Sequence, residues 1–110
     1  LSYYRIKYPM RISAFTFEFQ EVRQIYEDID TLVIDDMNPN ALHQSGLDFL
    51  IELIYKAYDD SKKVFITTNE AKKLFTNRLP EPIVSRLVEM CEWIEVKGED
   101  LRVQRLKKNT

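Results

Sequence analysis

The sequence contains few of the residues that cross-link small proteins or bind metals. Its 110 residues include one cysteine, Cys91, and one histidine, His43. No internal disulfide can therefore form, and no cluster of Cys and His offers the ligand spacing of a zinc site. A catalytic role for His43 is not indicated, because no nucleophile stands beside it in a recognisable pattern. With 45% hydrophobic residues, a chain of this length can form a packed core without such cross-links.

Long apolar runs and an excess of positive charge are also lacking. No run approaches the roughly 20 apolar residues that cross a bilayer, and the first residues lack the apolar core of a signal peptide. The formal net charge is -2, so the overall field gives no argument for nucleic-acid binding. The basic residues at 62–63 and 102–108 are interpreted as solvated surface. We therefore expect a protein without a membrane segment, in a reducing, cytoplasmic setting.

Strand-like and helix-like patterns alternate along the chain. Residues with strand periodicity lie at 11–17, 31–34, 64–68, 92–96 and 101–106, and those with helical periodicity at 19–29, 47–58, 70–75 and 82–91. The continuous apolar run at 31–34 predicts a strand that is covered on both faces of a parallel sheet. This order predicts an α/β fold with a largely parallel sheet flanked by helices, formed as one unit.

Polar side chains follow two of the predicted strands. Asp35 and Asp36 come directly after one strand, and Asn69 follows the next. Ligands of parallel sheets bind at the carboxyl ends of the strands. An apolar strand ending in two acids has the form of a Walker B element, in which one carboxylate serves Mg²⁺ and the other the attacking water. An asparagine at the end of the next strand can hydrogen-bond a nucleotide phosphate and the attacking water.

Two simpler interpretations of these residues stay open at this point. Acids such as Asp35 and Asp36 also occur where a strand merely meets solvent. Asn69 can be the N-cap of a helix that starts near Glu70.

Arg86 is a third candidate, on the predicted helix 82–91. The apolar stripe of that helix predicts that Arg86 projects away from the core. In a ring or spiral of subunits such an arginine can reach the γ-phosphate of a neighbour and stabilise the transition state. The alternative is an exposed arginine without a catalytic role.

Three segments together resemble a known family. They are residues 31–37, residues 66–69 and residues 83–102, of which the last is the most specific because Ile-Val-Ser-Arg-Leu is followed by Gly-Glu-Asp-Leu-Arg. This arrangement resembles the DnaC/DnaI/IstB-type AAA+ ATPases, the family of bacterial helicase loaders, over roughly residues 12 to 105.

The resemblance implies a P-loop NTPase-like (AAA+) fold and an ATPase that uses ATP and Mg²⁺. It also implies a homo-oligomer that binds single-stranded DNA and delivers the replicative DNA helicase to it during replication initiation. By motif position, Asp35 looks like the metal ligand and Asp36 like the acid that acts on water. Asn69 looks like sensor 1, Arg86 like the arginine finger and Arg102 like the sensor 2 arginine.

The chain departs from the family pattern in having no G-x-x-x-x-G-K-[ST] phosphate loop. Its two glycines, Gly46 and Gly98, lie elsewhere. Because such a loop supplies most of the phosphate contacts, we expect little ATP binding by this chain alone. We expect residues 1–110 to be the post-Walker-A portion of an AAA+ domain from a longer protein. Two alternatives stay open: a non-hydrolysing adaptor that binds a helicase or loader, and an IstB-like ATPase of transposition.

Overall fold

The computed structural model describes residues 8–96, which form three strands and four α-helices. The elements in chain order are β1 (Tyr8–Ser13), α1 (Phe19–Tyr26), β2 (Ile29–Asp35), a short 3-10 helix (Pro39–Ala41), α2 (Gln44–Asp59), β3 (Lys63–Ile66), α3 (Lys72–Asn77) and α4 (Glu81–Met90). The strands form one parallel sheet in the order β1-β2-β3. The predicted α/β fold is confirmed, and it is consistent with a P-loop NTPase-like fold.

Both helical crossovers pack on the same face of this sheet. The connections β1-α1-β2 and β2-α2-β3 both move in the same direction across the sheet. When two such connections are right-handed, their helices lie on the same face of the sheet. The rings of Phe19 in α1 and Phe49 in α2 are accordingly stacked, with centroids 4.4 Å apart. Strand residues that share this face are buried: Met10, Ile12, Leu32 and Ile34. The main core therefore lies between the sheet and its helices.

The opposite face of the sheet is open in the described part of the chain. Arg11, Val33 and Phe65 lie side by side on it, one from each strand. Phe65 is 52% exposed. In the predicted strand 31–34, Leu32 and Ile34 are fully buried on the helix-covered face, whereas Thr31 and Val33 on the other face are only partly buried, so residues 8–96 cover only the first face completely. A continuous apolar run shows that a strand is central, but it does not show that helices cross both of its faces.

Two predicted boundaries shift for local reasons. β1 ends at Ser13 rather than at position 17, because its partner β2 ends at Asp35 and Thr16 N–H donates to Ser13 C=O in a turn (3.2 Å). Ile29, predicted as the last residue of a helix, is instead the first residue of β2.

The predicted strand 92–96 is absent. Residues 91–96 have no regular secondary structure, and Ile94 is 62% exposed. A strand needs a partner for its backbone N–H and C=O groups, and no strand in residues 8–96 pairs with this segment. Trp93 packs edge-on against Phe75, with ring centroids 5.7 Å apart. The predicted turn 97–100 and strand 101–106 lie outside the described residues.

Polar contacts join the elements at the amino edge of the sheet. The Tyr26 hydroxyl at the end of α1 donates to Asp60 after α2 (2.8 Å), and Lys62 Nζ donates to the C=O of Ile29 at the start of β2 (2.6 Å). Lys56 and Lys62 both lie over the Tyr26 ring, 4.7 and 4.6 Å from its centroid. Burial and the Asp60 carboxylate raise the pKa of Tyr26, so the phenol stays protonated and remains a donor.

No helix in residues 8–96 is long and apolar enough to cross a membrane.

The unequal faces of the sheet lead to a stability prediction. Ile34→Ala should lower the free energy of unfolding by about 2–5 kcal/mol, because Ile34 is fully buried and its loss leaves a cavity. Phe65→Ala removes a larger side chain but should cost only about 1 kcal/mol, since half of the ring is already in water. Urea denaturation of both variants measures the difference. Equal losses would contradict an open face.

Candidate functional site

The carboxyl ends of β2 and β3 lie side by side and stay hydrogen-bonded beyond the paired strand residues. Thr67 N–H donates to Ile34 C=O (3.0 Å), and Met37 N–H donates to Thr67 C=O (2.8 Å). These bonds bring the Asp35-Asp36 pair alongside the segment Thr67–Asn69. The side chains that follow the two strands therefore meet at one edge of the sheet.

The Asp35 carboxylate is held by contacts from both neighbouring strand regions. Its Oδ1 accepts the hydroxyl proton of Thr67 (2.5 Å), and its Oδ2 accepts from Arg11 Nη2 in β1 (3.0 Å). The Asp35 side chain is 29% exposed, and that of Arg11 61%. The carboxylate is thus oriented by the protein and still accessible from solvent.

Asp36 has an unusual backbone conformation. Its φ is 56°, in the left-handed region that few residues other than glycine adopt, although Asp and Asn tolerate it better than most. Its N–H donates to Thr67 Oγ1 (2.9 Å). No group in residues 8–96 forms a hydrogen bond to the Asp36 carboxylate, which leaves its oxygens available to a ligand or water.

Asn69 is held through its backbone. Its N–H donates to Asn38 Oδ1 (2.8 Å), which also accepts the Thr68 hydroxyl proton (2.8 Å). The exposed Asn69 side chain makes no hydrogen bond within the described chain. α3 begins at Lys72 with Ala71 as its N-cap, so Asn69 does not cap that helix. The capping alternative is therefore excluded, and the carboxamide is available at the same edge as the two acids.

The loop that follows β2 is also bonded to the loop and helix that follow β3. Asn40 Nδ2 donates to the Glu70 carboxylate (3.0 Å) and to Leu74 C=O (2.8 Å). Arg78 donates to the C=O groups of Pro39 and Leu42. These contacts join the two loops that follow the strands of the acids and of Asn69.

Neither the motifs nor the strand patterns pointed to Thr67, Arg11 or Asn38 as parts of this site. Period-two alternation would have placed Arg11, Asp35 and Thr67 on one face if the register of the strands had been known. The register depends on which residues pair across the sheet, and the pattern of a single strand does not determine it.

The expectation that Arg86 projects away from the core is wrong. Arg86 is half-buried, with its guanidinium carbon 4.9 Å from the ring centroid of Tyr55 and 5.2 Å from that of Tyr58, both in α2. Its Nη1 donates to Pro82 C=O (3.3 Å), while its buried Nε has no hydrogen-bond partner among the described residues. The stripe of its own helix could not reveal this packing, because the aromatic surface belongs to another helix.

The chain topology places Arg86 toward the other edge of the sheet from the acids. α2 starts after the carboxyl end of β2 and returns to the start of β3, so its last turn, with Tyr55 and Tyr58, lies toward the amino edge of the sheet. Asp35, Asp36 and Asn69 share the opposite edge. The structure therefore brings three of the predicted site residues together and leaves Arg86 apart from them. Arg102 lies outside the described residues.

Comparison with known proteins identifies the family. A family model described as IstB-like ATP binding protein matches residues 14–109. The chain belongs to this IstB-like family. A search of curated proteins found no match. Family membership supports nucleotide binding and a general ATPase role, and it is consistent with the AAA+ type of P-loop fold.

The strand-end residues of this IstB-like protein fit a magnesium ion that is shared with a nucleotide. They offer hard oxygen donors, namely the carboxylates of Asp35 and Asp36. Residues 8–96 contain no group of three His, Cys, Asp or Glu that could hold a metal by itself. Mg²⁺ is usually bound through one or two carboxylates together with phosphate oxygens and water, so a small carboxylate set is sufficient when a nucleotide is present.

Proposed function

We propose that this chain carries the metal-binding and hydrolytic part of the ATP site of an oligomeric helicase loader, which delivers the replicative helicase to single-stranded DNA. The observation that carries the ATP-site assignment is the meeting of Asp35, Asp36 and Asn69 at adjacent strand ends. Membership of the IstB-like ATP-binding family supports the same assignment. The helicase and DNA partners rest on the family resemblance of the sequence motifs.

Each of the three residues has a distinct role in this proposal. Asp35 holds the metal, directly or through water, with a carboxylate that Thr67 and Arg11 already orient. Bound Mg²⁺ supplies positive charge that offsets the charge developing on the transferred phosphoryl group. Asp36 orients the attacking water and accepts its proton. The Asn69 carboxamide bonds the γ-phosphate and the same water.

In this proposal, most contacts to the ATP phosphates come from outside residues 1–110. Residues 1–110 are then the post-Walker-A portion of an AAA+ domain, and ATP is held chiefly by a glycine-rich loop of the full-length gene product. Arg102 serves as the sensor 2 arginine.

Arg86 acts between subunits in this proposal. Its position toward the amino edge, against Tyr55 and Tyr58, separates it from the acids of its own chain. A neighbouring subunit in a ring or spiral is the site that it can serve. The proposed homo-oligomer follows from this requirement.

An IstB-like role in transposition is the second candidate, because the matching family is described as IstB-like. The strand-end site would be the same in both proteins, because both hydrolyse ATP.

The two functions predict different partners. The full-length gene product of the loader should bind the purified replicative helicase of its own organism and form a complex that elutes together in size-exclusion chromatography. A transposition ATPase should not bind that helicase and should instead stimulate DNA strand transfer by its cognate transposase. Absence of a helicase complex would exclude the loader role while leaving the ATP site intact.

Asp36→Asn in the full-length gene product tests the hydrolytic site. Asn tolerates the left-handed backbone and keeps the shape of the side chain, but it cannot accept a proton. ATP turnover should fall by about 10²-fold or more, the usual contribution of a general base, while nucleotide affinity stays within about threefold. Asp59→Asn, at the far end of α2, is the control and should hydrolyse normally. Wild-type turnover by Asp36→Asn would show that the assignment is wrong.

Mixing subunits tests the role of Arg86. Asp36→Asn and Arg86→Ala should each be inactive alone, because every site lacks one of its two contributors. A mixture of the two should regain activity, since some interfaces then combine an intact Asp36 with an intact Arg86. Thermal denaturation of Arg86→Ala controls for lost packing on Tyr55 and Tyr58. A mixture that stays inactive, with both variants folded and oligomeric, would exclude action between subunits.

A further inference from the structure

We propose that Thr67 is a positioning residue of this site: its single hydroxyl holds the carboxylate of Asp35 and the backbone of Asp36 in place for metal and water. The proposal rests on the proposed function for its consequences in catalysis. The hydrogen bonds themselves belong to the nucleotide-free chain and can be tested without ATP.

The Thr67 hydroxyl forms two hydrogen bonds, one as a donor and one as an acceptor, to two adjacent acidic residues. It donates to Asp35 Oδ1 (2.5 Å) and accepts from Asp36 N–H (2.9 Å). A hydroxyl carries one proton and can do both at once. The two acids of the proposed hydrolytic pair are thus coupled through one oxygen atom.

The backbone of Thr67 determines where this oxygen lies. Thr67 N–H donates to Ile34 C=O, and Thr67 C=O accepts from Met37 N–H. The residue is therefore bonded to the chain on both sides of the Asp35-Asp36 pair. Ile34 and Met37 are fully buried, which anchors these contacts in the core.

Loss of the hydroxyl would affect each acid in a different way. One oxygen of Asp35 would lose a charge-assisted bond, while the bond from Arg11 in strand β1 to the other oxygen would remain. The Asp36 N–H would lose the bond that supports its left-handed conformation, which is intrinsically unfavourable for a residue with a side chain. The direction of the Asp36 carboxylate depends on that backbone conformation.

The adjacent threonine supplies a matched control. The Thr68 hydroxyl donates to Asn38 Oδ1 (2.8 Å) and accepts from Glu70 N–H (3.1 Å), so it contacts neither acid. Thr68→Val and Thr67→Val remove the same atom one residue apart. A general weakening of the loop would appear in both variants, whereas loss of positioning would appear in Thr67→Val alone.

The first experiment measures amide hydrogen exchange by NMR in the nucleotide-free chain. In Thr67→Val the Asp36 amide should exchange about tenfold faster than in the wild type, because it loses its acceptor. Thr67→Ser and Thr68→Val should retain the wild-type rate at Asp36. If Thr67→Val does not fold, Thr67→Ala removes the same hydroxyl with a smaller side chain. Unchanged exchange at Asp36 in a folded hydroxyl-free variant would overturn the proposal.

The second experiment measures ATP turnover of the full-length gene product against Mg²⁺ concentration. Thr67→Val should raise the Mg²⁺ concentration for half-maximal activity by about tenfold and lower kcat, because hydrogen bonds to charged groups make contributions of that order. Thr67→Ser should restore both values, and KM for ATP at saturating Mg²⁺ should stay near that of the wild type. A wild-type Mg²⁺ dependence in Thr67→Val would overturn the positioning role.

The two proposals fail in distinguishable ways. If the proposed ATPase function is wrong, Asp36→Asn leaves any turnover unchanged, while faster Asp36 exchange in Thr67→Val still reports the coupling by the hydroxyl. If the Thr67 proposal is wrong, Asp36→Asn abolishes turnover, while Thr67→Val alters neither exchange nor Mg²⁺ dependence.

Discussion

The parallel pairing of β2 with β3, continued past the strands through Thr67, is the constraint on which the site depends. Thr67 exchanges backbone hydrogen bonds with Ile34 and Met37, which flank the two acids. Since side chains alternate between the faces of a sheet, a slip of one residue in this pairing would turn Thr67 away from Asp35. Ile66 in β3 opposes such a slip, because it packs against the core and would have to move to the open face. Packing on one face of the sheet thereby determines the geometry of polar groups on the other.

The two crossovers of the same hand divide the sheet into an apolar face and an open face. Helices α1 and α2 take the first, whereas Arg11, Asp35 and Thr67 belong to the second. The acids therefore need not be buried among apolar side chains, where an ionised carboxylate would be costly. Asp35 lies at the edge of the open face, where the proposed phosphate and metal would approach and where its hydrogen bonds to Thr67 and Arg11 orient it.

Particular residues show which predictions succeeded and why others failed. The meeting of Asp35 with the β3 end was predicted because all parallel strands present their carboxyl ends at one edge. Strand 92–96 was predicted from alternation, which describes the side chains of a segment but not whether a partner strand exists. Arg86 was predicted to be exposed from the stripe of its own helix, and the rings of Tyr55 and Tyr58 on another helix hold it instead. Local pattern contains no information about surfaces that are distant in sequence.

The sequence by itself determined the α/β class, the order of the elements from β1 to α4, and the presence of acids and an asparagine after two apolar strands, because these follow from local periodicity and composition. Only the tertiary structure decided that one hydroxyl, from Thr67, contacts both acids, that Arg11 is the counter-ion of Asp35, and that Asp36 adopts a left-handed backbone. Those features arise from the register between strands and from contacts across more than 20 residues of chain. Such pairings are selected by the packing of the whole core, and no single segment encodes them.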